Sequence, residues 1–204
     1  MIVKQVPVRD IIETNAYFYI DEKSKHGFLI DPGAEAEKLL KIIKDNGWTI
    51  EKLLITHGHF DHIGAVEKIA QTLNIPYLAH ENGREYLPNP TYNLSAFFGD
   101  DIVLNNAEYL QDGAEITLDA APNVKLKVIH TPGHTQDGVV YYDESNSLAF
   151  VGDTIFKHGI GRTDIPGGDY NQLQQSICNK IFTFLNNTIL YSGHSEPTTV
   201  SAEK

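Results

Sequence analysis

The chain has 204 residues, 41% of them apolar and 21% charged, enough for a sizeable core and ordinary for a globular protein. A formal charge of −11 argues against a nucleic-acid-binding surface, which needs clustered Lys and Arg, but leaves small anionic substrates open. The single cysteine, Cys178, rules out an intrachain disulfide and any cysteine-based zinc cluster.

The start, Met1-Ile2-Val3-Lys4-Gln5-Val6-Pro7, lacks the charged-then-apolar pattern of a signal peptide, and no apolar run approaches membrane-spanning length. A cytoplasmic protein with no membrane and no nucleic-acid partner is expected. Residues 2–8, 14–20 and 27–30 read as strands, with Tyr17 and Tyr19 on one face and Phe18 and Ile20 on the other. Ala36, Leu39, Leu40 and Ile43 then recur at helical spacing, and Gly47 stands where a C-cap belongs. A short buried strand over 51–56 leads into Thr56-His57-Gly58-His59-Phe60-Asp61-His62.

This heptapeptide carries the most chemistry in the chain. Imidazole nitrogen and carboxylate oxygen are ligands that zinc and its first-row neighbours accept. In an extended segment, side chains two apart share a face, so His57 and His59 aim at one point. Asp61 and His62 point elsewhere and are placed to serve a second ion.

A helix follows, carried by Val66, Ile69, Ala70 and Leu73 and stopped before Pro76, and then a short strand over 76–79. Residues 81–105 are irregular, with Pro88, Pro90 and the pair Phe97-Phe98, and either run over the mouth of the site or form a plain surface loop. Strands resume at 115–118, 124–130, 138–142 and 148–151. A third helix carries Leu173, Ile177, Ile181 and Phe184, and a last strand covers 188–191. Three strand ends share one pattern, a small-residue turn bearing one metal-competent side chain: Pro132-Gly133-His134, Val151-Gly152-Asp153 and Ser192-Gly193-His194. Glycine before the ligand lets backbones approach without a Cβ clash. Together with the heptapeptide they make five imidazoles and two carboxylates, enough for two divalent ions. No linker or low-complexity tract divides the chain, so a single domain over 1–204 is expected. Strand-rich halves each followed by a helix suggest two sheets face to face with helices outside.

The combination resembles the metallo-β-lactamase superfamily, motif by motif and in the same order. The resemblance implies an α/β fold, a four-layer αββα sandwich. It implies that His57, His59 and His134 hold a first metal, that Asp61, His62 and His194 hold a second, and that Asp153 bridges them. Zinc is the expected metal, with iron or manganese as alternatives. Within the superfamily, Gly152-Asp153-Thr154-Ile155-Phe156-Lys157-His158-Gly159-Ile160-Gly161-Arg162 is similar to the hydroxyacylglutathione hydrolases (glyoxalase II) and their small bacterial relatives. The end Gly193-His194-Ser195-Glu196-Pro197-Thr198-Thr199 resembles those small relatives in particular. The implied reaction is hydrolysis of a small acyl-thioester such as S-lactoylglutathione by a metal-activated water, with Asp61 both ligand and orienter of that water.

Two departures stand out. The added C-terminal helical domain of full-length glyoxalase II is not expected, as ten residues follow His194. The family's glutathione-binding Lys and Tyr align with Arg162 and Asp164, and a second family Tyr aligns with Glu196. One cation is kept and both phenols are absent, which leaves the thiol carrier open. Arg162 either grips a substrate carboxylate or pairs with Asp164 to hold its own loop. Asp31, in Ile30-Asp31-Pro32-Gly33, either orients a ligand or forms a turn. Cys178 reads as inert core. One alternative is an iron-dependent persulfide dioxygenase on the same fold, which Thr131-Pro132-Gly133-His134-Thr135 and Gly159-Ile160-Gly161-Arg162-Thr163-Asp164 also resemble. Another is a non-catalytic metal-binding domain, disfavoured because closed structural zinc sites are usually rich in cysteine. Oligomeric state is not legible.

Overall fold

Strands β1 (Ile2–Arg9), β2 (Glu13–Ile20), β3 (His26–Ile30), β4 (Thr49–Leu54), β5 (Tyr77–His80) and β6 (Glu108–Leu110) hydrogen-bond in that order into one sheet, in a computed structural model that describes residues 1–204. The first three pair antiparallel, and β3 through β6 run parallel. Parallel neighbours need long crossovers, and helices supply the first two. Helix α1 (Ala36–Asn46) joins β3 to β4, while α2 (Phe60–Ile63) and α3 (Val66–Leu73) join β4 to β5. The excursion from β5 to β6 carries α4 (Gly83–Tyr86) and a 3-10 turn at Ser95–Phe97.

The second sheet contains β7 (Glu115–Leu118), β8 (Ala121–His130), β9 (Val139–Asp143) and β10 (Leu148–Gly152). A small hairpin, β11 (Ile155–Phe156) and β12 (Gly159–Ile160), follows, and then helix α5 (Tyr170–Asn179). Strand β13 (Ile189–Ser192) returns beside β10 in parallel, edged by β14 (Thr198–Thr199), and α6 (Val200–Glu203) ends the chain. The strand order is β14-β13-β10-β9-β8-β7.

Side-chain alternation sorts the apolar residues into three packed layers. Phe18, Ile20, Leu29 and Leu53 face outward onto Leu39 and Ile43 of α1 and Val66 and Ile69 of α3. Tyr17, Tyr19, Phe28 and Ile30 face inward onto Val128, Tyr141 and Phe150 of the second sheet. Val140, Ala149 and Val151 face outward from that sheet onto Leu173 and Ile177 of α5. Helix, sheet, sheet and helix therefore stack as the four layers the sequence implies. The two-faced reading of residues 17–20 holds, and Gly47 does cap α1 in the left-handed conformation (φ 62°), its N–H donating to the Ile43 and Lys44 carbonyls.

The differences lie at element ends. The strand read at 51–56 is β4 at 49–54, because Ile55 and Thr56 leave the sheet to bridge toward the second one: Tyr141 Oη donates to the Ile55 carbonyl and Val139 N–H to the Thr56 carbonyl. Helix α5 stops at Asn179, short of Ile181 and Phe184; Phe184 instead stacks on Tyr142 with ring centroids 4.1 Å apart. Cys178 is exposed on α5 rather than buried. Strands β6, β11, β12 and β14 have two or three residues each, too short for a periodicity to declare itself. No helix is long and apolar enough to cross a membrane.

Candidate metal centre

All seven expected ligands lie at the C-terminal ends of strands or in the loops that follow them. The turn after β4 carries His57 and His59, and α2 carries Asp61 and His62 one turn further on. His134 follows β8, Asp153 follows β10 and His194 follows β13. Because the two sheets pack face to face, these ends meet at one edge of the sandwich.

The rings of His57, His59 and His134 stand nearly perpendicular to one another, with interplanar angles of 84°, 80° and 90°. This turns three nitrogens to one point: His57 Nε2 and His134 Nε2 each lie 3.0 Å from His59 Nδ1. A second group forms beside it, with Asp61 Oδ2 3.6 Å from His62 Nε2 and 3.2 Å from His194 Nε2. Asp153 stands between the groups. Its Oδ2 lies 3.6 Å from His134 Nε2 and 3.2 Å from His194 Nε2, and its Oδ1 lies 3.4 Å from His62 Nε2. His62 Nε2 and Asp153 Oδ1 are buried there with no hydrogen-bond partner. Orphaned acceptors inside a set of imidazole and carboxylate donors fit a divalent cation, which would satisfy them together.

The outer face of each ring is held in place. His134 Nδ1–H donates to the Arg162 carbonyl at 2.7 Å and His194 Nδ1–H to the Glu13 carbonyl at 2.8 Å, so each Nε2 lone pair points inward. His62 Nδ1–H donates to Asp31 Oδ2 at 2.9 Å. Asp31 also accepts from Thr56 N–H at 2.7 Å and Thr56 Oγ1 at 2.6 Å, so its carboxylate ties the β3 end to the metal loop. Asp31 does both: its carboxylate holds the His62 ring, and its backbone, at φ 47°, turns so that its carbonyl accepts from Gly33 N–H at 2.8 Å. Two contributors carried no signal in the sequence: Thr14, whose hydroxyl donates to Asp61 Oδ2 at 2.8 Å, and the Glu13 carbonyl. Both become visible only when the sheets and α2 pack together. Of the strand-end glycines, Gly193 packs hardest on the site, since a Cβ there would sit 2.3 Å from Asp153 Oδ1 and 2.7 Å from His62 Cε1.

Electrostatics divide the two groups. Burial pushes His57 well below its ordinary value, His59 to about 3, and His134 downward, so these three imidazoles are neutral with free lone pairs. Burial also disfavours a proton on His62, but the carboxylates of Asp61, Asp153 and Asp31 outweigh it and raise that ring well above its usual value. For His194, burial is overcome by hydrogen bonds to Asp153 and Asp61, which lift it to about 10. Burial would raise Asp61, yet His62 and His194 hold it at about 2, and the same rings hold buried Asp153 well below the carboxylate range. In the ion-free chain two protons thus neutralise Asp61 and Asp153 where a divalent cation would do so.

His59, Asp61, His134, Asp153 and His194 open onto a cavity of about 360 Å³, while His57 and His62 close the site from behind. Leu94 and Phe98, from the excursion between β5 and β6, line its mouth. Arg162 is also at the mouth. Its guanidinium makes a bidentate pair with Asp164 (2.8 and 2.9 Å) on the exposed surface. The loop-holding reading of Arg162 therefore describes its side chain, and its backbone carbonyl orients His134.

The sequence profile of the metallo-beta-lactamase superfamily matches residues 10–194. The chain is 36% identical to a probable metallo-hydrolase, YqgX, of Bacillus subtilis, covering 98% of this chain and 93% of that one. It is 32% identical to the hydroxyacylglutathione hydrolase GloC of Haemophilus influenzae, covering 100% and 95%. Among solved structures, BLEG-1, a B3 metallo-beta-lactamase, superposes with a TM-score of 0.92 at 37% identity, covering 98% and 95%. TTHA1623 in a di-iron-bound form gives 0.82 at 30%, covering 97% and 96%. ETHE1 from Myxococcus xanthus gives 0.80 at 25%, covering 98% and 80%.

Proposed function

The chain belongs to the metallo-beta-lactamase superfamily, and from that premise we propose that it is a dinuclear metal-dependent hydrolase of small acyl-thioesters. The observation that carries this reading is the shared carboxylate: Asp153 faces both ligand groups on the floor of an open cavity. A structural site closes its ligand shell, whereas a catalytic one keeps a position open to substrate. Two divalent ions, zinc or a zinc and iron mixture, supply a water that ionises near neutral pH and a Lewis acid for a carbonyl oxygen.

The chain's own residues prepare the rest. Thr14 Oγ1 holds Asp61 Oδ2, which fixes the carboxylate that orients the attacking water and receives its proton. Asp31, Glu13 and the Arg162 backbone hold the imidazoles so that the floor stays rigid during attack. Water oxygen bonds to the thioester carbon, the C–S bond breaks with its electron pair going to sulfur, and the proton from water ends on the thiol. The products are a carboxylic acid and a thiol, and no oxidant is consumed. A thiolate is a good leaving group, which suits a cavity lacking a free Lys or Tyr as general acid.

The likeness to GloC supports a thioester, and the likeness to ETHE1 motivates the rival oxygenase reading. A dioxygenase of that kind needs one iron on two His and one Asp. The seven ligands are compatible with either reading, and the end Glu196-Pro197-Thr198-Thr199, similar to the small glyoxalase II relatives, favours the hydrolase. The test is Asp153→Ala, assayed for thioester cleavage and bound metal. The expected result is loss of one ion and a fall in kcat of at least about a hundredfold, with the fold intact because its core is apolar. Full activity in Asp153→Ala would overturn the dinuclear reading.

A further inference from the structure

The wall of the cavity differs in chemistry from its floor. Above the metal ligands it is built from Ile12, Leu94, Phe98, Phe156, Ile160 and Ile165. Three of these are large apolar side chains left well exposed: Phe98 at 41%, Ile160 at 40% and Ile12 at 38%. Leaving such groups in water is unfavourable, and exposed apolar side chains that line one cavity beside a reactive site mark what the site receives. They are also firmly seated. Phe98 stacks on Phe60 with centroids 4.8 Å apart and planes 18° apart, and Phe156 sets its ring against His194 with centroids 6.0 Å apart.

The wall offers no free cation. Arg162 is the sole Lys or Arg lining it, and both arms of its guanidinium are taken by Asp164. Lys157, next to Phe156, is bound to Glu196 at 2.7 Å. A carrier with carboxylates would have to break one of these pairs, against a chain of charge −11.

From this, and resting on the thioester-hydrolase reading, we infer that the substrate is an apolar acyl thioester. Its acyl chain of about four to six carbons lies on Phe98, Ile160 and Ile12, and its thiol carrier is not recognised through carboxylates. Phe98 and Ile160 are then specificity-determining residues: they come from two separate segments, the excursion from β5 to β6 and β12, that line the same cavity. Both would bury apolar area on a chain that reaches past the metal ligands.

The metal-loaded protein should be assayed with acetyl, butyryl and hexanoyl thioesters of N-acetylcysteamine, an uncharged carrier, and with the same acyl groups on glutathione. The expected result is a kcat/KM that rises about three- to fourfold per methylene, the factor that burying one CH₂ gives, with no gain from glutathione. Phe98→Ala and Ile160→Ala should each lower kcat/KM for hexanoyl about tenfold more than for acetyl. A flat or falling chain-length series would overturn the inference while leaving the hydrolase reading intact. So would a tenfold preference for the glutathione carrier. Cleavage of none of these thioesters would instead remove the hydrolase reading, and the inference with it. The wild-type series decides the matter even if either variant fails to fold.

Discussion

At the scale of single residues, two buried aspartates outside the ligand set carry consequences. Asp31 accepts three hydrogen bonds, from His62 Nδ1–H, Thr56 N–H and Thr56 Oγ1, and is 2% exposed. Asp31→Ala leaves His62 Nδ1–H and Thr56 N–H buried without a partner, which costs about 1–3 kcal/mol for each unpaired group and frees the His62 ring, while Thr56 Oγ1 keeps His57 Nδ1 at 3.2 Å. We expect metal affinity to fall about 10- to 100-fold and the melting temperature to drop, by chelator competition and calorimetry; Asp31→Asn should restore part of both. Unchanged metal affinity in Asp31→Ala would refute the orienting role.

Asp137 is the second. It is 1% exposed, lies against Gly58 of the metal loop, and is pushed by burial up to about 7. A carboxyl whose folded value lies above its unfolded one near 4 binds more protons when folded, so it destabilises the fold progressively as pH rises from 4 through 7. Asp137→Asn removes that charge. In chelator-treated protein it should leave stability almost unchanged at pH 4 and raise it at pH 8, by an amount on the order of 4 kcal/mol at most. A stabilisation of equal size at both pH values would show that the charge is not the cause.

At the scale of elements, the site is a meeting of strand ends, and close backbone approach is what allows it. The turn after β13 brings Gly193 against Asp153 and His62. Gly193→Ala must push one of these ligands aside, since the clash falls on the ligand atoms themselves. The expected outcome is loss of at least one metal equivalent, read by elemental analysis, with retained secondary structure by circular dichroism; two retained ions would contradict it. This scale also separates what was legible in the sequence from what was not. His57-x-His59, Asp61-His62 and the three glycine-led strand ends announced themselves because metal ligands combine unusual residue types with fixed spacing. The alternation at 17–20 and the stripe in α1 were equally readable, because burial imposes a period. Thr14 and the Glu13 carbonyl were not, because they reach Asp61 and His194 only through tertiary packing between segments 47 and 181 residues apart in sequence. The hairpin β11–β12 was missed for a different reason: two-residue strands are held by their surroundings, here by Lys157 N–H on Ser195 Oγ and His158 N–H on Glu203. For Arg162 the residues leave a substrate clamp and a pair with Asp164 both open, and the geometry shows the pair.

At the scale of the whole molecule, the sandwich and the centre have separate sources of stability. Three apolar layers hold the sheets and helices together without the metal ligands. The ligands are then free to carry a concentration of buried charge that would be costly in a fold relying on them. The two groups also differ in readiness. Burial lowers His57, His59 and His134, whereas neighbouring carboxylates raise His62 and His194, so on the proposed dinuclear reading the first group is expected to load before the second and activity to follow the later step.

A metal titration of the chelator-treated chain at pH 8, following bound ion and thioester cleavage together, separates a one-ion from a two-ion mechanism. The first equivalent of zinc should bind with little turnover, and activity should climb with the second to a plateau at two ions per chain. Full activity at a single bound iron, with oxygen consumed on a persulfide substrate and no thioester cleaved, would contradict the two-ion mechanism.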